Sequence, residues 1–134
     1  MSAAPVIRIV AAAICDAAGR TLLVRKHGAT VFQQPGGKRD PDDTDDLATL
    51  ARELREELGC GLVRDSARFL CHASAPAANE RGHVVEADVY AVVVHGVPCA
   101  QAEIAELRWV DPVEPGVPVA RLSFEHILPL LRRH

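Results

Sequence analysis

The stretch "PGGKRDPDDTDDLATLARELREELG", Pro35 to Gly59, decides how this chain is read. A glycine turn leads into five aspartates, Asp40, Asp42, Asp43, Asp45 and Asp46, and three glutamates, Glu53, Glu56 and Glu57, come close behind. Leu47, Leu50, Ala51, Leu54 and Leu58 recur at the spacing of one helix face, with acids at its start and Gly59 at its stop, so the spacing predicts an amphipathic helix. At 3.6 residues per turn the three glutamates fall within about 100° of one another, roughly opposite the leucine stripe. Like charges one turn apart cost a few tenths of a kcal/mol unless a positive group lies between them.

That helix allows two readings. In one, the glutamates form a solvated face paired with Arg52 and Arg55. In the other they hold a hard divalent cation such as Mg²⁺, which takes oxygen ligands and shares its shell with waters and substrate phosphates. The position just behind "PGGK" favours the second, because a glycine turn brings main-chain amides and carbonyls close to a metal or a phosphate.

The charge distribution agrees. Residues 37–60 carry eight acids against four bases, a local charge of −4 in a chain whose net charge is −3. An acidic site on a nearly neutral body suits a bound cation and excludes the basic stripe that nucleic-acid binding calls for. With 134 residues and nearly half of them apolar, the chain is expected to form a single domain over residues 1–134 with a core of its own. No apolar run approaches the roughly 20 residues of a membrane span. The opening residues read as a first strand rather than a signal peptide, which makes a cytoplasmic location the expectation. Cys15, Cys60, Cys71 and Cys99 form no C-x-x-C pair and the six histidines no metal-binding pair, so reduced thiols and dispersed histidines are expected.

Outward from the helix, "PVIRIVAAAIC", "DAAGR" and "TLLVRKHG" read as strand, turn and strand, and "TVFQQPGGK" as a brief extended piece. "ARFLCHASAPA" reads as a strand ending in the loop "PAANERG". In "HVVEADVYAVVVHG", Val85, Ala87 and Val89 share one face while Val84, Glu86, Asp88 and Tyr90 share the other. "AELRWVDP" is a further short strand. "LSFEHILPLLRRH" is a closing helix with Ser123 as its cap and a break near Pro129. This order predicts an α/β fold: one mixed sheet with helices on both faces.

The segment "GGKRDPDDTDDLATLARELREELGC" resembles the Nudix box, G-x5-E-x7-R-E-U-x-E-E-x-G-U with U aliphatic. Arg52 to Gly59 matches the second half at every fixed position, and the box spans about residues 37–60. Counting back from Arg52 puts Thr44 at the upstream glutamate and Lys38 at the glycine, whereas counting forward from Gly37 puts Asp43 at the glutamate. The loop is one residue longer than the pattern, and Cys60 stands at the final aliphatic position.

The resemblance implies an α/β/α sandwich and a Mg²⁺- or Mn²⁺-dependent attack of water on the pyrophosphate of a nucleoside diphosphate linked to another group. It implies Glu53, Glu56 and Glu57 as cation ligands with the carbonyl of Gly37. Arg52 would orient a glutamate. The general base would be a box glutamate or a later acid, with Glu103 preferred to Glu106. Arg25, Gly36 and Lys38 are the candidates for contacting substrate, and Glu80 and Arg81 belong to a loop that is a further candidate for that contact. Glu86 and Asp88 either line the pocket or pair with Arg8. The expected partner is a small nucleotide, with no nucleic acid or membrane, and the chain a monomer or homodimer. An oxidised nucleoside triphosphate such as 8-oxo-dGTP is the first substrate expectation, and ADP-ribose or a nucleotide sugar the rival. A nucleotide sensor without turnover and an acidic protein stabilised by Mg²⁺ or Ca²⁺ are the readings of other classes.

Overall fold

The computed structural model describes residues 4–132. Six strands and two helical segments run in order: β1 Val6–Ala13, β2 Thr21–Lys26, β3 Gly36–Gly37, α1 Asp46–Leu58, β4 Gly61–Pro76, β5 Val84–His95, β6 Ile104–Val110, then a π-helical turn Ser123–Ile127 that continues into α2 Leu128–Leu131. The strands divide between a four-stranded sheet, β3-β1-β5-β4, and a two-stranded one, β2-β6. The larger sheet is mixed, because β1 runs parallel to β5 while the other pairs are antiparallel. The fold is thus the expected mixed sheet with helices on both faces, with β2 and β6 separated from the main sheet.

Alternation along β1 explains the layering, since successive side chains of a strand point to opposite faces. Val10 and Ala12 pack with Leu50, Leu54 and Leu58 of α1 and with Leu22 and Val24 of β2. Ala11 faces the other way, onto Ala87 and Val89 of β5 and Leu122 and Ile127 of the closing helix. The three leucines of α1 are fully buried, and each contributes about 2 kcal/mol.

α1 begins and ends as its sequence dictates. Asp45 caps it by accepting from the Ala48 amide at 2.8 Å, and Gly59 closes it in the left-handed conformation at φ 68°. The glutamates depart from expectation. Glu53 is 9% and Glu57 1% exposed, so they stand at the margin of the core and not opposite it. Glu57 lies only about 20° from Leu50 in projection, so a helix that buries its leucines draws Glu57 in with them.

The closing helix also differs. Ser123 is buried and makes no cap, and the Leu128 amide reaches back five residues to the Ser123 carbonyl. Pro129 has no amide for the carbonyl of Glu125, and the widened turn ends at Ile127, two residues before it. Arg133 and His134, the end of the expected helix, lie outside the described residues. β4 starts at Gly61, six residues before the expected Ala67. No helix among the described residues is long and apolar enough to cross a membrane.

Candidate functional site

Of the α1 glutamates, Glu53 lines a cleft of about 350 Å³, to which Glu103 also contributes. Its floor is Ile7, Ile9 and Ala11 of β1, one wall is Gly36, Gly37 and Lys38 with Glu53, and Asn79 and Glu80 stand at the other end. Carboxylate oxygens of Glu53, Glu57 and Glu103 come within 4.8 Å of one another at its edge. The first two come from α1, and the third from the loop ahead of β6.

Each of these side chains has a local reason for its position. Glu57 accepts from the Gly36 amide at 3.0 Å, which ties α1 to the glycine turn. A Cβ at Gly37 would fall 2.5 Å from the Glu53 carboxyl carbon, so any side chain there would displace that carboxylate. Gly36 stands at φ 144° with its missing Cβ aimed at the Val10 carbonyl, so glycine is needed there for the turn to lie between β1 and α1. Arg52 donates to Glu53 at 2.9 Å from one end of its guanidinium and to Asp43 at 2.9 Å from the other.

Of the two candidates for the upstream box position, Asp43 is the one seen to accept from Arg52. It also accepts from the Thr49 hydroxyl at 2.8 Å and the Asp40 amide at 2.8 Å. Hydrogen bonds from Arg52, then Asp40 and Thr49, hold its carboxyl well below the usual carboxylate range. The same partnership raises the Arg52 guanidinium above its ordinary value. Glu57 behaves oppositely. Burial pushes its carboxyl up to about 8, with Glu53 and Glu103 adding to the rise against the Gly36 amide. Burial also raises Glu53, offset in part by Arg52. Three crowded carboxylates, two of them raised, with a single arginine contact at Glu53, fit a hard cation: the donors are all oxygen and their charge is otherwise poorly compensated.

The remaining expected site residues divide. Glu56 is more than half exposed and touches Arg52 only at 3.9 Å, outside the three-carboxylate group. Lys38 lines the cleft, and its carbonyl accepts from Arg52 at 3.0 Å. Gly36 lines it too, but its amide is committed to Glu57. Arg25 turns away to Glu106 at 3.4 Å and to the Ala29 carbonyl at 3.1 Å, and the base of β2 that lines the cleft is its neighbour Lys26. Alternation along β2 accounts for this, because Lys26 follows Leu22 and Val24 on one face while Arg25 follows Leu23 on the other. Glu106 is thereby an ion-pair partner of Arg25 and Arg108, which lowers its carboxyl.

Glu86 and Asp88 lie on the sheet face shared with Val10 and Tyr90 and are held in ion pairs, Glu86 with Arg8 at 3.8 Å, Asp88 with Arg39 at 3.4 Å, and both with His72. Glu80 lines the cleft and Arg81 does not. Among the described residues no aromatic side chain lines the cleft, so amides such as Gln33 and Asn79, which bond each other at 3.2 Å, supply its polar contacts. Sequence reasoning misses Lys26 and Gln33, although the alternation Leu22, Val24, Lys26 along β2 carries the signal for Lys26.

Comparison with known proteins identifies the family and the fold. The family model described as "NUDIX domain" matches residues 5–131. Over 37 residues, 28% of this chain, the sequence is 60% identical to the mouse peroxisomal coenzyme A diphosphatase NUDT7, of which that match spans 15%. Among solved structures, a MutT Nudix hydrolase from Burkholderia pseudomallei superposes with TM-score 0.79 at 26% identity, covering 95% of this chain and 98% of that one. The E. coli ORF135 protein gives TM-score 0.72 at 28% identity, covering 96% and 87%.

Proposed function

This chain belongs to the Nudix family, and from that premise we propose that it is a Mg²⁺-dependent pyrophosphohydrolase of a nucleoside diphosphate linked to a further group. The observation that carries the reading is the convergence of Glu53, Glu57 and Glu103 at the edge of a cleft with two lysines in its lining. A solvated helix face does not account for acids buried to the degree of Glu53 and Glu57.

In this reading Glu53, Glu57 and Glu103 hold the cation, with Gly37 supplying a carbonyl and Glu56 reinforcing from the rim. Mg²⁺ or Mn²⁺ bound there would neutralise phosphate oxygens and lower the pKa of a water for in-line displacement. Lys26 and Lys38 draw the diphosphate into the cleft. Arg52 fixes Glu53 by holding it against Asp43. Glu103, the exposed member of the group, accepts the proton of the attacking water. The bond broken is a P–O bond of the phosphoanhydride, and the products are two phosphate esters or a nucleotide and pyrophosphate.

An oxidised nucleoside triphosphate such as 8-oxo-dGTP is the preferred substrate. The cleft volume lies at the small end of ligand sites, which suits one nucleoside better than a nucleoside carrying a second sugar. The test is product release from 8-oxo-dGTP, ordinary dNTPs, ADP-ribose, nucleotide sugars and coenzyme A, with Mg²⁺ and with EDTA. Turnover of 8-oxo-dGTP well above the rest, absent in EDTA, is expected. Best turnover of ADP-ribose or a nucleotide sugar would replace the substrate, and Mg²⁺ binding without turnover of any would replace the enzyme by a sensor.

A further inference from the structure

Glu103 reaches the site from a loop far away in sequence, and the contacts that bring it there involve the end of α1. The last carbonyls of a helix lack intrahelical partners and must find others. Here Gly59 serves Arg55 and Leu54, but the carbonyls of Glu56, Glu57 and Leu58 find theirs in residues 99–101. The Cys99 amide donates to Leu58 at 3.0 Å and the Gln101 amide to Glu57 at 3.1 Å. The Gln101 side chain then donates through Nε2 to the carbonyls of Arg55 at 2.9 Å and Glu56 at 3.1 Å.

The residues after Gln101 are equally constrained. Ala102 adopts φ 55°, the left-handed region, where glycine is otherwise favoured and where non-glycine residues are held only by surrounding contacts. The Ile104 amide closes back onto the Gln101 carbonyl at 3.0 Å, and the Glu103 carbonyl accepts from the His27 amide at 3.0 Å. The backbone therefore turns sharply between a residue bonded to α1 and the residue whose carboxylate joins Glu53 and Glu57.

We propose that Gln101 is a positioning residue for the carboxylate site: its side-chain amide clamps the 99–103 loop to the C-terminal end of α1 and so sets Glu103 against Glu53 and Glu57. The same turn of α1 presents Glu57 inward by its side chain and receives Gln101 by its carbonyl, so helix and loop are registered at a single residue. This rests on the reading of the three carboxylates as a cation site. Residues supporting metal ligands cost about 10–100-fold in affinity or activity when lost, and Gln101 falls in that class.

The experiment is a double-mutant cycle of Gln101→Met, which keeps length and removes the donors, with Glu103→Gln. Mn²⁺ affinity is read from the electron paramagnetic resonance signal of free ion, and kcat and KM are measured separately in Mg²⁺. Gln101→Met is expected to weaken Mn²⁺ binding about tenfold and to lower kcat with KM little changed. Added to Glu103→Gln it should cost nothing further, because it acts through that residue. Wild-type Mn²⁺ affinity in Gln101→Met, or losses that multiply in the double variant, would overturn the proposal, as would a Gln101 amide that exchanges with solvent as fast as an open chain in the native protein. The Mn²⁺ arm does not depend on turnover. A native protein that binds the ion and cleaves no diphosphate sinks the enzyme reading alone, and the cycle still decides the clamp.

Discussion

Asp43 and Glu57 belong to the same acidic stretch, and both help tie α1 to the chain before it, yet the protein treats them in opposite ways. Asp43 is surrounded by donors: Arg52, the Thr49 hydroxyl and the Asp40 amide. Its neighbours fare alike. Asp45 caps α1 and pairs with Arg64, and Asp46 takes both Arg39 and the Tyr90 hydroxyl. Glu57 has one amide and, beyond it, two more carboxylates. Asp43, Asp45 and Asp46 hold the loop and helix together, whereas the glutamates are held in place by the fold at a cost that a cation would offset.

The largest effect expected from that contrast is on Glu57→Gln. The variant keeps an oxygen for the Gly36 amide, so the fold should survive, and without metal its Tm should equal or exceed that of the native protein because a buried ionisable acid is gone. Turnover in Mg²⁺ should drop at least about a hundredfold, since a ligand and not merely its support is removed. Asp43→Asn should reverse the pattern, with Tm reduced in the absence of metal and turnover lowered about tenfold through the freed Arg52. Thermal melts in EDTA beside steady-state kinetics separate the two. A Glu57→Gln protein that melts lower and turns over normally would erase the distinction.

The pH dependence should differ in sign as well as size. Glu57, raised from 4.5 to about 8 in the fold, keeps a proton that the unfolded chain has lost between those values. The native state then binds more protons than the unfolded one, so this group's contribution falls as pH rises from 4.5 to 8 and levels off above. Asp43 is lowered from 3.8, so its contribution is present above that value and is lost as pH falls below it. Melting curves of metal-free protein, referenced to Glu57→Gln and to Asp43→Asn, should show these opposite slopes in separate windows. Excess Mg²⁺ should flatten the Glu57 slope alone, because the ion competes with the proton. A pH-independent difference between native protein and Glu57→Gln would overturn the assignment.

The two regions are not equally legible in the sequence. The octapeptide Arg52–Gly59 and the leucine spacing give α1 and its glutamates directly, because both the helix and its pattern are local. The depth of Glu53 and Glu57 is not given there, since an angle on a wheel says nothing of how far the neighbouring layer extends; β2 and β6 close over that edge. Glu103 can be named from sequence only as one of two acids ahead of Trp109. What separates it from Glu106 is non-local: Glu106 faces Arg25 across the β2-β6 ladder, while Glu103 comes two residues after the glutamine that completes the end of α1. Lys26, in contrast, stands where Arg25 is expected for a local reason: alternation along β2 places it on the face of Leu22 and Val24, opposite to that of Arg25.

The smallest effect tests whether the aspartates can be weakened without touching the glutamates. Tyr90 donates to Asp46 at 2.7 Å from β5, and its hydroxyl is raised to about 12, chiefly by burial and then by that bond. Tyr90→Phe removes the donor and keeps the ring, and Asp46 retains Arg39. Stability should fall by about 0.5–1.5 kcal/mol, the net worth of one hydrogen bond, read from urea midpoints at constant slope. Mn²⁺ affinity and Mg²⁺ turnover should not change, because the Tyr90 hydroxyl bonds to Asp46 and not to any of the three carboxylates. If they fall together with stability, the aspartate loop and the glutamate site are one cooperative unit, and the division of labour between them is wrong.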